Sequence, residues 1–262
     1  MTASRAPAHP FDLTDRVALV TGGNGGIGFA GAMGLAHAGA AVAIWGRRAD
    51  RNETAAAALR EIGHPVVADA VDVADPAQVE AGFDRVVAEL GRVDFVFVNA
   101  GTTRHAPSFL DITDEARDEV MATNLFGAWS TLRAAVAHMA DRAEAGDPGG
   151  SIVVNGSLTV FGGVPGAEHY GVAKAGLVSV VKGIAVEYGR VGIRANVICP
   201  GYIEKDDRPS RRGAVLAERG PIPRYGRPDE IAGVVVYLAS DAASYHTGDV
   251  ITIDGGWTAN VL

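Results

Sequence analysis

The chain has 262 residues, 48% of them apolar, and a formal net charge of −8. That is material for one sizeable core, and the acidic balance excludes a protein that grips nucleic acid through a basic face while leaving room for small anionic ligands. The single cysteine, Cys199, excludes an intrachain disulfide and reads as a buried structural thiol in a reducing, cytoplasmic setting.

Residues 1–10 carry no signal-peptide core and read as a flexible lead-in to a single domain over 11–262. No apolar run approaches the ~20 residues of a membrane helix. Seven short β-branched runs follow in chain order: "RVALV" (16–20), "AVAIW" (41–45), "PVVADAV" (65–71), "VDFVFV" (93–98), "SIVVN" (151–155), "IRANVI" (193–198) and "VITID" (250–254). Each has the length of a buried parallel strand. Ala-rich segments with helical spacing lie between them, among them 28–39, 50–63 and 75–91. In the last, Asp75 suits the N-cap, Pro76 the first helical position and Gly91 the stop. The alternation predicts an α/β chain: a doubly wound, Rossmann-type, seven-stranded parallel sheet with helices on both faces. Residues 201–227 lack periodicity and read as a long functional loop, a lid. "DGGW" (254–257) ends the last strand and serves packing or subunit contact.

"TGGNGGIG" (21–28) places five glycines straight after the first strand. GxGxxG fits there in two registers (Gly23, Gly25, Gly28 or Gly26, Gly28, Gly31), so the pattern alone leaves a tight structural turn open. Position carries more weight. A loop between strand one and helix one lies at the carboxyl edge of the sheet, where a helix N-terminus offers free N–H groups to a pyrophosphate.

"HYGVAK" sets Tyr170 and Lys174 four apart, on one helix face and roughly 6 Å apart along its axis. An ammonium about 4 Å from a phenol, at an effective dielectric of about 20, favours the phenolate by on the order of 4 kcal/mol, around 3 pKa units. Lys174 is therefore expected to tune Tyr170 toward acid–base work near neutral pH. Ser157 follows the strand "SIVVN", Asn99 ends "FVNAG" at the same sheet edge, and Asn124 lies in the helical stretch "MATNLFG". A hydroxyl, a phenol, an ammonium and an amide around one cleft suit reduction of a carbonyl or oxidation of an alcohol.

In order and approximate spacing, "TGGNGGIG", "VDVAD", "VNAG", Asn124, Ser157, "YGVAK" and "CPG" resemble the short-chain dehydrogenase/reductase family over residues 11 to about 258. The resemblance implies a nicotinamide nucleotide and an oxidoreductase of a ketone/secondary-alcohol pair. Tyr170 would give or take the proton, Ser157 hold the substrate oxygen, Lys174 lower the Tyr pKa and hold the nicotinamide ribose, and Asn124 help hold a water leading from Lys174 to solvent. Thr21, Gly22, Gly26 and Gly28 match the family's glycine motif, and Gly22, Asn24, Gly26, Ile27 and Gly28 would line the nucleotide. So would Asp72 and Val73 at the adenine, Asn99, Ala100 and Gly101, and Pro200, Gly201 and Ile203 near the nicotinamide. The substrate pocket would draw on Thr102, Thr103, Leu158, Phe161, Val164, His169 and Tyr202, with His105 close by. Related proteins are commonly homotetramers, joined through the helices carrying Asn124 and Tyr170.

An acidic residue at the end of strand two would bind the ribose of NAD and repel a 2′-phosphate. Here the position holds Gly46, followed by Arg47 and Arg48, which favours NADP(H) over NAD(H). Gly25, where many NADP-dependent relatives carry a basic residue, points the other way. Lys205 stands where the family often has a Thr after "PG", which puts one cofactor contact in doubt. Two further readings stay open. An NAD-dependent polyol or sugar dehydrogenase would keep its preference after Arg47→Ala. A nucleotide-binding regulator without turnover would keep its effect after Tyr170→Phe.

Overall fold

Short apolar runs alternating with helical segments can bury both strand faces in one way, as a parallel sheet between two helix layers. The computed structural model describes residues 9–204 and 211–260. The seven runs form β1 (Val17–Thr21), β2 (Ala41–Gly46), β3 (Val66–Ala70), β4 (Phe95–Val98), β5 (Gly150–Asn155), β6 (Ile193–Pro200) and β7 (Val250–Ile253). They pair in parallel throughout, in the order β3-β2-β1-β4-β5-β6-β7. The helices are α1 (Gly26–His37), α2 (Ala49–Arg60), α3 (Pro76–Leu90), α4 (Asp114–Met121), α5 (Ala128–Glu144), α6 (Glu168–Tyr188), α7 (Arg211–Ala217) and α8 (Asp229–Ala239). The first eight residues of the expected lead-in, and Lys205, lie outside the described residues.

Successive strand residues feed opposite cores. Leu19, Trp45, Val96 and Ile152 meet Phe83 of α3, Leu132 and Met139 of α5 and Leu177 of α6. Val20, Ile44, Phe97 and Val153 meet Leu35 of α1, Leu59 of α2 and Val235 of α8. The strand order reverses between β1 and β4, the point at which open sheets of this order place a crevice beyond the carboxyl ends of the strands. Thr21 stitches its base: its Oγ1 accepts the Asn99 and Ala100 N–H groups, each at 3.0 Å. Asn99 Nδ2 donates back to the carbonyls of Thr21, at 3.0 Å, and Gly22, at 3.3 Å.

The end signals of α3 hold. Asp75 Oδ1 accepts from the Ala77 and Gln78 N–H groups, at 2.9 and 3.3 Å, Pro76 opens the helix, and Gly91 closes it in the left-handed region at φ 84°. Other element ends differ from expectation by a few residues, where terminal turns fray.

The stretch 201–227 departs from its expectation. It is not an unbroken loop, because it holds α7, a helix too short to show a period. Its base is closed where Glu204 N–H donates to Gly226 O and Gly226 N–H to Tyr202 O, each at 2.9 Å. Trp257 reaches over to it: Nε1 donates to Leu216 O at 3.1 Å, and the ring stands edge-on to Tyr202 with centroids 5.8 Å apart. "DGGW" thus packs, through Trp257, against the 201–227 segment within this chain.

Candidate active site

The glycine loop leaves β1 through Gly22, at φ 65°, and enters α1 through Gly26, at φ 50°, both in the left-handed region that side chains avoid. A Cβ on Gly28 would run into the carbonyl of Gly22 and the Asn99 amide. Only a bare backbone lets α1 start this close to the sheet. No side chain caps the helix at Gly25, so the first N–H groups, at Gly26, Ile27 and Gly28, lack a side-chain partner. An uncapped helix end against a cradle with no Cβ fits a nucleotide pyrophosphate.

At the far end of the crevice Arg47 and Arg48 are exposed beyond β2. Asp72 Oδ1 takes the Ala74 N–H at 3.0 Å, and buried Val73 packs its carbonyl toward Gly127. Sequence reasoning misses Asn52 here. It is 2% exposed, the one polar member of the inward stripe Asn52–Ala55–Ala56–Leu59 of α2, and that interruption was its signal. Its amide reaches Gly46 O at 2.8 Å, Asp69 O at 2.7 Å and Asn24 at 2.6 Å.

At the other end, Asn124 lies in a π-helical turn, Ala122–Gly127, a bulge of the kind found at functional sites. Its buried side chain is committed to the segment after β4: Oδ1 accepts the Thr102 N–H at 2.7 Å and Nδ2 donates to Thr102 O at 2.8 Å. Ser157 follows β5, and its Oγ accepts the Thr159 N–H at 3.2 Å. Lys174, on α6, is buried and donates to the carbonyl of Asn155 at 2.6 Å. Asn155 is a second residue the sequence did not single out. Its Nδ2 donates to Asn99 Oδ1 at 2.9 Å, and its own Oδ1 is buried without a protein partner. Lys174, Asn155, Asn99 and Gly22 therefore form one polar thread from the buried lysine to the glycine loop.

Electrostatics correct one expectation. The Lys174 ammonium sits over the Tyr170 ring, 5.7 Å from its centroid. Burial raises the Tyr170 hydroxyl above the ordinary tyrosine value, and a hydrogen bond with the Ser157 hydroxyl opposes this only in part. In the free protein this direction runs against the lowering expected from Lys174. Burial also pulls Lys174 down to about 8. Cys199 is buried beside them as expected, its thiol pushed up by desolvation.

The expected substrate wall is only partly assembled. Leu158, Tyr202 and Ile203 are half-buried, and Thr103 is exposed after β4. Phe161 and Val164 line a groove of about 440 Å³ with Val172 and Ala175, on a different face of α6 from Tyr170 and Lys174. His169 turns inward with Ala173 and Leu177, buried, with neither ring nitrogen bonded. Pro200 is buried and Gly201 half-buried at the end of β6.

A family model described as enoyl-(acyl carrier protein) reductase matches residues 22–258. Cis-4-hydroxycyclohexanecarboxylate dehydrogenase of Sinomonas cyclohexanicum is 38% identical over 250 residues, 94% of this chain and 98% of that protein. Levodione reductase of Leifsonia aquatica is 35% identical over 272 aligned positions, covering 99% of each. The crystal structure of a gluconate 5-dehydrogenase from Burkholderia cenocepacia J2315, in complex with NADP and tartrate, matches with a TM-score of 0.88 at 33% identity, over 96% of this chain and 98% of that one. With the glycine cradle and the Ser157–Tyr170–Lys174 cluster, these likenesses lead to one conclusion: the chain belongs to the short-chain dehydrogenase/reductase family, nicotinamide-dependent oxidoreductases of CH–OH/C=O pairs.

Proposed function

We propose that the protein interconverts a ketone and its secondary alcohol with NADP(H) in preference to NAD(H), and that Tyr170 moves the proton. The observation that carries this reading is the buried Lys174 ammonium 5.7 Å from the centre of the Tyr170 ring, with Ser157 acting on the same phenol. When bound, the nicotinamide nucleotide supplies or accepts the hydride. Ser157 orients the substrate oxygen and stabilises the charge that develops on it. Tyr170, neutral at pH 7, donates its proton to that oxygen in reduction and recovers it in oxidation. Lys174, still an ammonium at neutral pH with a value of about 8, stabilises the phenolate left behind. Asn124 keeps the Gly101–Thr102 segment in place under the nucleotide.

Gly46 in place of an acid, with Arg47 and Arg48 exposed beside it, supports the NADP(H) preference, since a guanidinium fork matches a phosphate. The exposed Phe126, Trp129, Val172 and Val186 on and next to α5 and α6 support a homotetramer joined through those helices. The single buried cysteine supports a cytoplasmic setting. The decisive variant is Tyr170→Phe. It is expected to lower kcat by about 10²–10⁴-fold while NADPH binding, followed by protein fluorescence, survives. Turnover within a few fold of wild type would remove Tyr170 from the chemistry.

A further inference from the structure

The turn after β2 is locked from within. Asn52, in the first turn of α2, gives both amide hydrogens to main-chain oxygens, Gly46 O at 2.8 Å and Asp69 O at 2.7 Å. Two carbonyl partners require the NH2 end of the amide there, which leaves Asn52 Oδ1 to accept from Asn24 Nδ2 at 2.6 Å. Asn24 comes from the glycine loop, so the lock joins that loop, β2, β3 and α2. Its effect falls on residue 46. A Cβ there would run into Asn24 Nδ2 and stand 2.6 Å from Asn52 Oδ1 and 2.8 Å from Asn24 Cγ. The Asn24 side chain alone could swing aside. Tied to Asn52, which is 2% exposed and has both donors engaged, it has no easy move.

Residue 46 is where a dinucleotide fold places the carboxylate that claims the ribose hydroxyls of NAD. We propose that Asn52 is the positioning residue of the nucleotide-specificity site: by fixing Asn24 across Gly46 it closes the place an acidic side chain would occupy, and so commits the pocket to a 2′-phosphorylated nucleotide read by Arg47. This rests on the NADP(H) reading above and adds the device that enforces it. A neutral amide in place of a carboxylate removes the repulsion a 2′-phosphate would meet. The three bonds of Asn52 also fix the strand end from which Arg47 projects.

The test is a coupling experiment on the free protein and on nucleotide binding. Gly46→Ala adds only the colliding Cβ, and Gly46→Asp adds the carboxylate. Each is made alone and with Asn24→Ala, and melting temperature and the Kd for NADPH and NADH are measured on all variants. Gly46→Ala is expected to lower Tm by about 3 °C or more, and Asn24→Ala to restore most of that loss. Gly46→Asp alone is expected to weaken both nucleotides, and Asn24→Ala/Gly46→Asp to bind NADH at least about tenfold more tightly than Gly46→Asp. If the melting effects simply add, or if Gly46→Asp gains NADH unaided, the lock is refuted while the NADP(H) reading stands. If the wild type prefers NADH, that reading falls and takes the specificity claim with it, whereas a surviving Tm coupling still establishes the lock as a structural clamp.

Discussion

Lys174→Met isolates what the buried ammonium costs. Lys174 is 4% exposed, touches one main-chain carbonyl, and is pulled from 10.5 down to about 8 by desolvation. A depressed lysine binds fewer protons in the folded chain than in the unfolded one between these two values. Stability must therefore rise as pH climbs from about 8 to 10.5, and the full penalty stands below 8. The drop corresponds to about 3 kcal/mol against the fold at pH 7, falling to about 1 kcal/mol at pH 9.5. Methionine fills similar space and does not titrate. Its other effects, including the lost bond to Asn155, shift the comparison by an amount that barely depends on pH. The melting-temperature gap between Lys174→Met and wild type is therefore expected to change by roughly 4–8 °C between pH 7 and 9.5, with wild type gaining. Calorimetry of the free protein at constant ionic strength reads it directly. A gap that stays constant across this range would show that Lys174 keeps an ordinary value, and the desolvation reasoning would fail.

Two further changes probe the site and its cover. Ser157→Ala removes the hydroxyl proposed to orient the substrate oxygen, which also opposes the upward shift of Tyr170, and is expected to lower kcat by about 10²–10³-fold with NADPH affinity little altered. Steady-state kinetics beside a fluorescence titration separates the two, and unchanged kcat would contradict the assigned role. Trp257→Phe keeps an aromatic face toward Tyr202 but deletes the donor to Leu216 O. It is expected to weaken the seat of α7 by about 1 kcal/mol, raising KM more than it lowers kcat and speeding proteolysis within 211–217. Equal proteolysis rates would mean that α7 is held by other contacts.

The sheet was legible because buried parallel strands are short apolar runs, and α3 because Asp75, Pro76 and Gly91 each act within a turn of their own position. Residue type and order point to the proposed set of Asn124, Ser157, Tyr170 and Lys174. Other features depend on distance in sequence. Asn52 matters because Asn24 and Asp69 come to it from other elements, and Asn155 because it meets Asn99. The helix within 201–227 rests on Trp257, some forty residues on. The upward shift of Tyr170 in the free protein is outside the reach of sequence for a related reason. Spacing along a helix gives the separation of Tyr170 and Lys174, but not how far the fold strips water from the phenol or where the ammonium comes to lie.

The polar thread suggests why the lysine is left so poorly compensated. A carboxylate beside Lys174 would hold its pKa high and stabilise the fold, but it would also neutralise the charge. Among the described residues the ammonium bonds the carbonyl of Asn155, a dipole that orients it without cancelling it. A dipole costs little reorganisation when negative charge appears on Tyr170, whereas a salt bridge would first have to be weakened. Asn155 is in turn held by Asn99, which is anchored to the carbonyls of Thr21 and Gly22. The position of the charge is thus fixed to the same strand ends that shape the phosphate loop. A downward shift to about 8 corresponds to about 3 kcal/mol against the fold at neutral pH, and the proposed role of Lys174 beside Tyr170 is what that cost would serve.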